Sequence, residues 1–280
     1  MLLALVWLAP EGWKLVRPLN GAGAVGGKPT LTVLSVNALY GRSNATLIEL
    51  QAEMCKADVV VFQEYTPKLA AELKLGMKSF PHRVEMSRDD AFGQGVFSRT
   101  PFAKPPEIYP SSPRWSVDPQ ISVWVEFDGG LVRVTDVHLL PPVGLSALAE
   151  QRRQVSGLAA DVRSSLAAES GASVRVERIV AGDFNGTPDG HIVGALNTTM
   201  ADSWADSSHG RGGTWPTDSP LSKLGKIRLD NLLHTDGLAC VASGVGIETG
   251  SDHLPTWARY VRAPAREPTA SVGSREKGAK

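Results

Sequence analysis

The sequence predicts a mixed α/β fold in which helices are layered over β-sheets. Short runs rich in β-branched residues recur along the chain and indicate many strands. Amphipathic patterns with helical spacing lie between the early runs and become rarer later. One Asp-Gly-Gly turn joins two of the runs and indicates an antiparallel hairpin. Together these features favour helices packed against sheets that contain antiparallel strands.

The predicted strands are short apolar segments separated by turn residues. The turn Asp128-Gly129-Gly130 predicts a β-hairpin over Ile121–Val137. The full set of predicted strands is Leu31–Val36, Val59–Phe62, Ile121–Phe127, Leu131–Val137, Arg178–Ala181 and Ile227–Leu233.

Three segments have the spacing of apolar residues that is typical of helices. They are Ala45–Cys55, Pro67–Leu75 and Ala147–Leu166. The third carries one apolar stripe, which consists of Leu148, Val155, Leu158, Ala159 and Val162.

The chain is expected to form one globular domain between two irregular ends. Residues 1–28 are predicted to be an apolar arm followed by a Gly-rich linker, and residues 263–280 a disordered tail rich in Pro, Ser, Gly and charge. Residues 29–262 are long enough for a single domain with its own core.

Composition excludes several classes of protein. A hydrophobic content of 42% excludes a mostly disordered chain. The 29 basic and 29 acidic residues balance, so the chain lacks the broad positive field that drives non-specific nucleic-acid binding. Cys55 and Cys240 lie far apart, which excludes a disulfide scaffold, a zinc finger and a Cys-x-x-Cys redox centre.

The apolar arm leaves two interpretations open. The run Met1–Ala9 is shorter than the ~20 residues that cross a bilayer, and it lacks the preceding basic residues of a standard signal peptide. It is either the end of a longer hydrophobic anchor or an arm packed on the domain. A membrane-associated or extracytoplasmic location is slightly favoured over a cytoplasmic one.

Polar residues follow several of the apolar runs. They are Asn37, Glu64, His138, Asp183 with Asn185, Asp230, and the pair Asp252-His253. Each one alone is typical of a turn or a helix cap. Strand ends can converge on one edge of a sheet, however, where ligand crevices form. Carboxylates, amides and histidines in one crevice are the groups that hydrolysis of a phosphate ester requires.

These motifs resemble the endonuclease/exonuclease/phosphatase superfamily of DNase I-like phosphoesterases. Gly182-Asp183-Phe184-Asn185 and Ser251-Asp252-His253-Leu254-Pro255 carry most of the resemblance, and Gln63-Glu64, Val137-His138 and Arg228-Leu229-Asp230 occur in the expected order. The resemblance implies a four-layer α/β sandwich, in which two mixed, mostly antiparallel β-sheets pack face to face with helices outside. It also implies a divalent-metal-dependent phosphoesterase.

The resemblance implies a metal site and a catalytic group. Glu64 is expected to be the main metal carboxylate, with Asn37 and Asp252 completing or supporting the site, and Mg²⁺ is the expected ion, with Mn²⁺ as the alternative. One departure is Asn231, which stands where many members have an aromatic residue.

The catalytic roles are also implied by the resemblance. His253 is expected to be the catalytic histidine and Asp230 the carboxylate that orients it. Asp183 and Asn185 are expected to position the attacking water and a phosphate oxygen, and His138 to face the phosphate. Either His253 or Asp183 would accept the proton of the water.

The substrate and the partners are left open by the sequence. A phosphodiester of nucleic acid and one of a phospholipid or phosphoinositide are about equally favoured as substrates. Any membrane association would involve the apolar arm. The protein is expected to be a monomer. A nuclease would need a local basic groove, for which Lys104, Arg114, Arg152 and Arg153 are available. Trp215 could stack on a base or a lipid headgroup, but packing within its loop is favoured. A catalytically silent binding module of the same fold is the alternative function, and the complete set of polar residues disfavours it.

Overall fold

The computed structural model describes residues 26–110, 119–169, 176–220, 222 and 225–264. Residues 1–25 and 265–280 lie outside this part, so the boundaries predicted for the arm and the tail stay predictions. Arg114 also lies outside it. Within the described residues, no helix is both long and apolar enough to cross a membrane.

The described residues form strands and helices in the order predicted for a mixed fold. The strands are β1 (Leu31–Asn37), β2 (Val59–Gln63), β3 (His82–Met86), β4 (Gln94–Ser98), β5 (Glu107–Pro110), β6 (Pro119–Phe127), β7 (Gly130–His138), β8 (Val176–Asp183), β9 (Ala201–Asp202), β10 (Asp230–His234), β11 (Leu238–Val245) and β12 (Thr256–Arg262). The helices are α1 (Ala45–Cys55), α2 (Pro67–Gly76), α3 (Leu145–Glu169), α4 (His191–Gly194) and α5 (Ser203–Ser207).

Two six-stranded sheets contain all of these strands. The first has the order β11-β12-β1-β2-β4-β3, and the second has the order β5-β6-β7-β8-β10-β9. Strands β1 and β2 are parallel, as are β7 and β8, while the other pairings are antiparallel. The prediction of two mixed, mostly antiparallel sheets is therefore confirmed.

Alternating side chains divide the interior into three apolar clusters. The cluster between the sheets includes Val33 and Val61 from the first sheet and Val134 and Ile179 from the second. The outer face of the first sheet packs on α1 and α2, through residues such as Leu34, Phe62, Ile48 and Leu69. The outer face of the second sheet packs on α3, through residues such as Val180, Leu233, Val155 and Leu158. The order helix, sheet, sheet, helix is the predicted four-layer sandwich.

The predicted hairpin is formed by β6 and β7. Phe127 pairs with Gly130, which leaves Asp128 and Gly129 as a two-residue loop. Both loop residues have positive φ, at 43° and 76°. A two-residue loop with positive φ at both positions matches the right-handed twist of the strands, and Asp-Gly suits it.

The strand predicted over Ile227–Leu233 was partly wrong. Strand β10 begins at Asp230, and Ile227 makes only an isolated bridge with Trp215. Asp230 therefore opens a strand instead of following one. Because β10 runs antiparallel to β8, its first residue pairs with Asp183, the last residue of β8. Both carboxylates thus reach the same edge of the second sheet.

Candidate active site

The site lies where strand ends from both sheets meet. Asn37 ends β1, whereas His138 and Asp183 end the parallel pair β7 and β8 and are aligned with each other. Asp230 is aligned with Asp183 from the other side. The opposed directions of the strands therefore bring residues distant in sequence to one edge.

Asn37 joins the two sheets across the site. Its amide nitrogen donates to Glu64 Oε1 at 3.2 Å and to Asp183 Oδ2 at 3.0 Å. Its amide oxygen accepts from the backbone N–H of Leu39 at 3.0 Å, which fixes the orientation of the amide. Asn37 is buried. It therefore supports two carboxylates, one from each half of the molecule.

Glu64 leaves the strand in an unusual backbone conformation. Its φ is 55°, in the left-handed region that residues with side chains rarely adopt and that is often found at functional sites. Its Oε2 accepts from the backbone N–H of Tyr40 at 3.0 Å. Burial raises the pKa of this carboxyl, and the neighbouring His138 and the hydrogen bonds from Asn37 and Tyr40 only partly oppose that rise. The site thus holds a carboxylate whose charge its hydrogen bonds do not fully compensate.

The turn after β8 fixes Asp183 and Asn185. Asp183 Oδ1 accepts from the backbone N–H of Asn185 at 2.8 Å, and Asn185 donates through its side chain to the carbonyl of Leu139 at 2.8 Å. Gly182 has a φ of 148°, and a Cβ there would lie 1.9 Å from the carbonyl oxygen of Val137. The glycine of the Gly-Asp-Phe-Asn motif thus lets β7 and β8 approach closely beside the site.

His253 and Asp230 form a buried hydrogen-bonded pair. His253 Nδ1 lies 2.8 Å from Asp230 Oδ2. Burial disfavours the charged ring, but the carboxylates of Asp230 and Asp183 outweigh this effect and raise the pKa of His253 to about 10. The two carboxylates therefore favour the protonated ring.

Asp183 is the central carboxylate of the site. Its Oδ2 lies 3.8 Å from Nε2 of both His138 and His253. Burial raises the pKa of Asp183, Asp230 raises it further, and the two histidines lower it. A raised carboxyl pKa makes Asp183 a better proton acceptor than an exposed aspartate.

His138 is oriented by a backbone group that sequence reasoning missed. Its Nδ1 lies 3.1 Å from the carbonyl oxygen of Ala91 in the loop between β3 and β4. Because a carbonyl can only accept, Nδ1 carries the proton. No side-chain pattern could have identified Ala91, since the contact is made by its backbone.

Asp252 is held in a different way from the other predicted residues. Its Oδ2 accepts from Trp215 Nε1 at 3.0 Å, while its Oδ1 is buried without a hydrogen-bond partner among the described residues. The structure gives no hydrogen bond between Asp252 and Glu64 or Asn37 in the described part of the chain. Asp252, the neighbour of His253 in sequence, therefore has Oδ1 available to bind a ligand.

The donor set fits a hard divalent cation. Glu64, Asp183, Asp230 and Asp252 offer carboxylate oxygens, which Mg²⁺ prefers. Ligand atoms of Asp183, Asp230 and His253 lie within 4.8 Å of one another. Nδ1 of His253 already takes part in the hydrogen bond with Asp230. The carboxylate oxygens are therefore better ligands for a cation than this nitrogen. The unpaired Asp252 Oδ1 and the incompletely compensated Glu64 are what a cation would satisfy.

Two further polar residues support the site from between the sheets. Gln63, next to Glu64, donates to Asp136 Oδ1 at 2.6 Å and accepts from Ser35 at 3.3 Å. Burial raises the pKa of Asp136 well above its usual value and so favours the protonated form of this carboxyl. Sequence reasoning missed this contact, and the signal for it was a polar residue two positions before His138 on a buried strand.

Asn231 fills the position where the resemblance leads one to expect an aromatic residue. Its amide nitrogen donates to the carbonyls of Gly186 and Leu229, at 3.3 and 3.0 Å. It therefore ties the start of β10 to the turn that carries Asn185.

The structure brings the predicted residues into one site. Contacts run from Glu64 through Asn37 to Asp183, and from Asp183 to both histidines. Asn185 and Asp230 contact this set directly, and Asp252 adjoins it through the backbone of His253. The geometry agrees with the predicted grouping, while the role of each residue stays a prediction.

Comparison with solved structures finds the same fold in several proteins. An endonuclease/exonuclease/phosphatase from Beutenbergia cavernae has a TM-score of 0.63 and 19% identity, with 85% of this chain and 73% of that chain covered. Truncated TDP2 from Caenorhabditis elegans has a TM-score of 0.66 and 16% identity, with 83% and 98% covered. A mannosyl-6-phosphatase from Bacteroides thetaiotaomicron has a TM-score of 0.64 and 19% identity, with 82% and 99% covered. At these identities the likeness establishes the fold, which is DNase I-like.

Sequence comparison establishes the family. No curated protein sequence matches the chain at a significant level. The family model described as "Endonuclease/Exonuclease/phosphatase family" matches residues 34–253, which run from β1 to His253 and span the whole site described above. With this match, the four-layer fold and the conjunction of Gly-Asp-Phe-Asn with Ser-Asp-His, the chain belongs to the endonuclease/exonuclease/phosphatase family.

Proposed function

We propose that this protein is a divalent-metal-dependent phosphoesterase that hydrolyses a P–O ester bond by attack of water. The observation that carries the proposal is the continuous set of contacts from Glu64 through Asn37 and Asp183 to His253. It joins an oxygen-rich cation site to a histidine–carboxylate pair within one cluster of side chains. Family membership supports the reaction class, because members are hydrolases of phosphoester bonds.

The cation, Mg²⁺ in this proposal with Mn²⁺ as a substitute, would be held by Glu64 and Asp252, with Asn37 supporting Glu64. When bound, it supplies positive charge that polarises the phosphoryl group and stabilises the leaving oxygen. Asn37 keeps the Glu64 carboxylate in place through its 3.2 Å hydrogen bond, and Tyr40 holds the other oxygen.

Asp183 is the proposed acceptor of the water proton. Asp230 and Asp183 raise the pKa of His253 and so favour its imidazolium form, which cannot accept a proton. Burial raises the pKa of Asp183, and a raised pKa strengthens a carboxylate as a base. In this assignment His253 donates a hydrogen bond to the phosphoryl oxygens, and Asp230 stabilises its positive charge.

Asn185 is the proposed neutral donor to the phosphate, and His138 is proposed to face the phosphate beside it. The second N–H of Asn185 lies 3.4 Å from Asp183 Oδ2, a long contact that a phosphate oxygen can replace. The Nδ1–H of His138 is used by the carbonyl of Ala91, so this ring donates to the phosphate through Nε2 only when Nε2 is protonated as well.

The features around the site favour a lipid phosphodiester over nucleic acid. The loop that follows His138 exposes Val143 at 80% of its surface, and Leu145, which begins α3 directly after the loop, is exposed at 86%. The predicted basic groove is weakened, because Arg153 pairs with Glu150 and Lys104 lies over the ring of Trp124. An apolar loop beside the site suits a substrate with hydrocarbon next to its phosphate. Because one of the similar structures is named a mannosyl-6-phosphatase, sugar phosphates are tested as substrates as well.

The test is hydrolysis of bis-p-nitrophenyl phosphate with Mg²⁺ and with EDTA. We expect Mg²⁺-dependent turnover that Glu64→Gln abolishes while the folded protein, followed by circular dichroism, is preserved. Turnover that survives Glu64→Gln in the presence of Mg²⁺ would exclude the metal role of this residue. A panel of sphingomyelin, inositol phosphates, mannose 6-phosphate, single-stranded DNA and abasic-site duplex then identifies the substrate class. A protein that binds members of this panel and releases no product from any of them would be a silent binding module.

A further inference from the structure

Trp215 makes the only side-chain hydrogen bond to Asp252 that the described part of the chain shows. Its indole Nε1–H donates to Asp252 Oδ2 at 3.0 Å. The indole ring also lies beside the catalytic imidazole, with a distance of 6.5 Å between the ring centroids of Trp215 and His253. Trp215 is therefore in contact with the segment Asp252-His253 at both of its side chains.

The loop that carries Trp215 is fixed to that segment by its backbone. Leu254 donates through its N–H to the carbonyl of Thr214 at 2.9 Å, and Thr217 donates to the carbonyl of Asp252 at 2.9 Å. The hydroxyl of Thr217 donates to the carbonyl of Ser251 at 2.6 Å. These bonds lie on both sides of Trp215 in sequence, so the position of the indole relative to Asp252 is set by the fold.

The hydrogen bond also selects which oxygen of Asp252 remains available. Oδ2 is used by the indole, whereas Oδ1 is buried without a partner among the described residues. A buried carboxylate oxygen without a donor costs free energy unless a cation or a water satisfies it. An indole N–H is only a donor, so it holds Oδ2 as an acceptor and leaves Oδ1 as the oxygen available to a cation.

The same loop orients the partner of the catalytic histidine. The hydroxyl oxygen of Thr214 accepts from the backbone N–H of Leu229 at 3.2 Å and of Asp230 at 3.4 Å. A single short segment, Thr214-Trp215, therefore contacts both the start of β10 and the carboxylate next to His253.

We infer that Trp215 is a positioning residue for the metal site: its indole N–H fixes the Asp252 carboxylate so that Oδ1 faces the divalent cation. The inference rests on the proposed function, and it assigns to Trp215 a role through Asp252 instead of stacking on a base or a headgroup. Trp215 touches no reacting atom in this role, so its loss lowers metal affinity more than the rate at saturating metal.

The test measures binding of Mn²⁺ and Mg²⁺ by isothermal titration calorimetry in the absence of substrate. Trp215→Phe keeps an aromatic ring and removes the N–H. We expect it to weaken metal affinity about tenfold, the scale typical of groups that orient metal ligands. The matched control is Trp204→Phe, because Trp204 donates its indole N–H to the carbonyl of Gly210 at 3.0 Å and contacts no predicted ligand. This control should bind metal as the unsubstituted protein does.

Two further variants separate positioning from a general structural effect. Replacement of Trp215 by 3-benzothienylalanine keeps the shape of the indole and lacks the N–H, and it should show the same tenfold loss even if Trp215→Phe folds poorly. In the Asp252→Asn background, Trp215→Phe should cause little additional loss, because the carboxylate it acts through is gone. High Mg²⁺ should restore most of the kcat of Trp215→Phe.

The outcomes distinguish this inference from the proposed function. Unchanged metal affinity in the benzothienyl variant, with measurable binding in the unsubstituted protein, would overturn the role of Trp215 and leave the proposed function intact. A lower kcat at saturating metal with unchanged affinity would also overturn it and would indicate contact with substrate. An unsubstituted protein that binds no divalent cation would instead overturn the proposed function.

Discussion

At the scale of single residues, the site is defined by charges that the fold does not fully compensate. Burial raises the pKa of Glu64 and of Asp183, and each keeps its place through hydrogen bonds from Asn37. His253 provides the positive charge nearest to Asp183, and its own pKa is raised by Asp230 and Asp183 despite its burial. A bound cation would compensate the negative charge of the carboxylates, and a phosphate would compensate the positive charge of His253.

Asp183→Asn tests the assignment of the base. The amide is isosteric and still accepts the N–H of Asn185, but it cannot accept a proton, so kcat should fall by ~10² to 10⁴. Steady-state kinetics at saturating Mg²⁺ measure the change, with Asp128→Asn in the exposed hairpin loop as the control. Turnover within a few-fold of the unsubstituted protein would transfer the role of base to another group.

Asp136→Asn should stabilise the protein increasingly as pH rises. The folded-state pKa of Asp136 is raised well above 3.8 by burial, so the folded protein retains a proton that the unfolded chain loses above about pH 4. The free energy of unfolding therefore falls with pH in this window, by up to ~1.4 kcal/mol per pH unit, and the fall ends once pH exceeds the folded-state pKa. Asparagine has no carboxyl proton to lose, so it removes this pH-dependent loss of stability. Its side-chain oxygen can still accept the hydrogen bond from the Gln63 amide.

Urea unfolding of Asp136→Asn at pH 5 and pH 8 measures that effect. The gain in stability should be larger at pH 8. Asp128→Asn, a change at an exposed carboxyl, should show no such trend. An equal gain at both values of pH would mean that Asp136 is ionised in the folded protein.

At the scale of elements, the relative direction of strands decides which residues meet. The parallel pair β7 and β8 puts His138 beside Asp183, and the antiparallel strand β10 brings Asp230 to the same edge by its first residue. The close contact of β7 and β8 depends on Gly182, whose missing side chain leaves room for the carbonyl of Val137.

Gly182→Ala should destabilise the second sheet and disorder the site. The added Cβ would meet the Val137 oxygen at 1.9 Å, and the positive φ of 148° adds backbone strain, so we expect a loss of about 3 kcal/mol or more. Gly129→Ala is the matched control, because Gly129 also has positive φ but has no neighbour within 4 Å of a Cβ. Its cost should be about 1 kcal/mol. Similar losses of stability for the two variants in urea would show that contact with Val137 is unimportant.

The sequence predicts elements well where hydrophobic periodicity is strong. Helix α1 has the predicted bounds, and β1, β2 and β7 each extend one residue beyond the prediction at one or both ends. Strands β3, β4, β5, β9 and β11 were missed, because none of them contains a run of β-branched residues. Strand β3 also has only half-buried and exposed residues. The start of β10 was placed too early, because Ile227 has strand-like character but only bridges Trp215.

The site residues were predictable to the extent that they are side chains in motifs. The grouping of Glu64, Asp183 and His253 follows from polar residues at strand ends, combined with the family resemblance. The contacts of Ala91 and Trp215 were not predictable, since one is made by a backbone carbonyl and the other depends on how two distant loops pack. Local sequence carries no information about either.

At the scale of the whole molecule, acidic and basic residues balance, but several acidic side chains are concentrated at the site. The formal net charge is +0, yet Glu64, Asp183, Asp230 and Asp252 lie in or beside one site. A cation bound there stabilises the folded chain, because the unfolded chain holds these carboxylates apart.

Mg²⁺ should therefore raise the Tm. At a concentration 100 times its Kd, binding adds about 2.7 kcal/mol, which corresponds to roughly 5–10 °C for a chain of this size. Differential scanning calorimetry in EDTA and in Mg²⁺ measures the shift, and Glu64→Gln should lose most of it. An equal Tm in both buffers at saturating Mg²⁺ would show that the site binds no cation in the folded state.

The placement of Asn37 between the two sheets has a consequence for partial unfolding. Its amide spans the seam between the halves of the sandwich, with Glu64 on one side and Asp183 on the other. A molten globule that keeps both sheets but lets them slide by an ångström would retain its secondary structure and lose this alignment. Catalysis therefore depends on how the two sheets are packed against each other. We expect activity to be lost at a lower denaturant concentration than the far-ultraviolet circular dichroism signal.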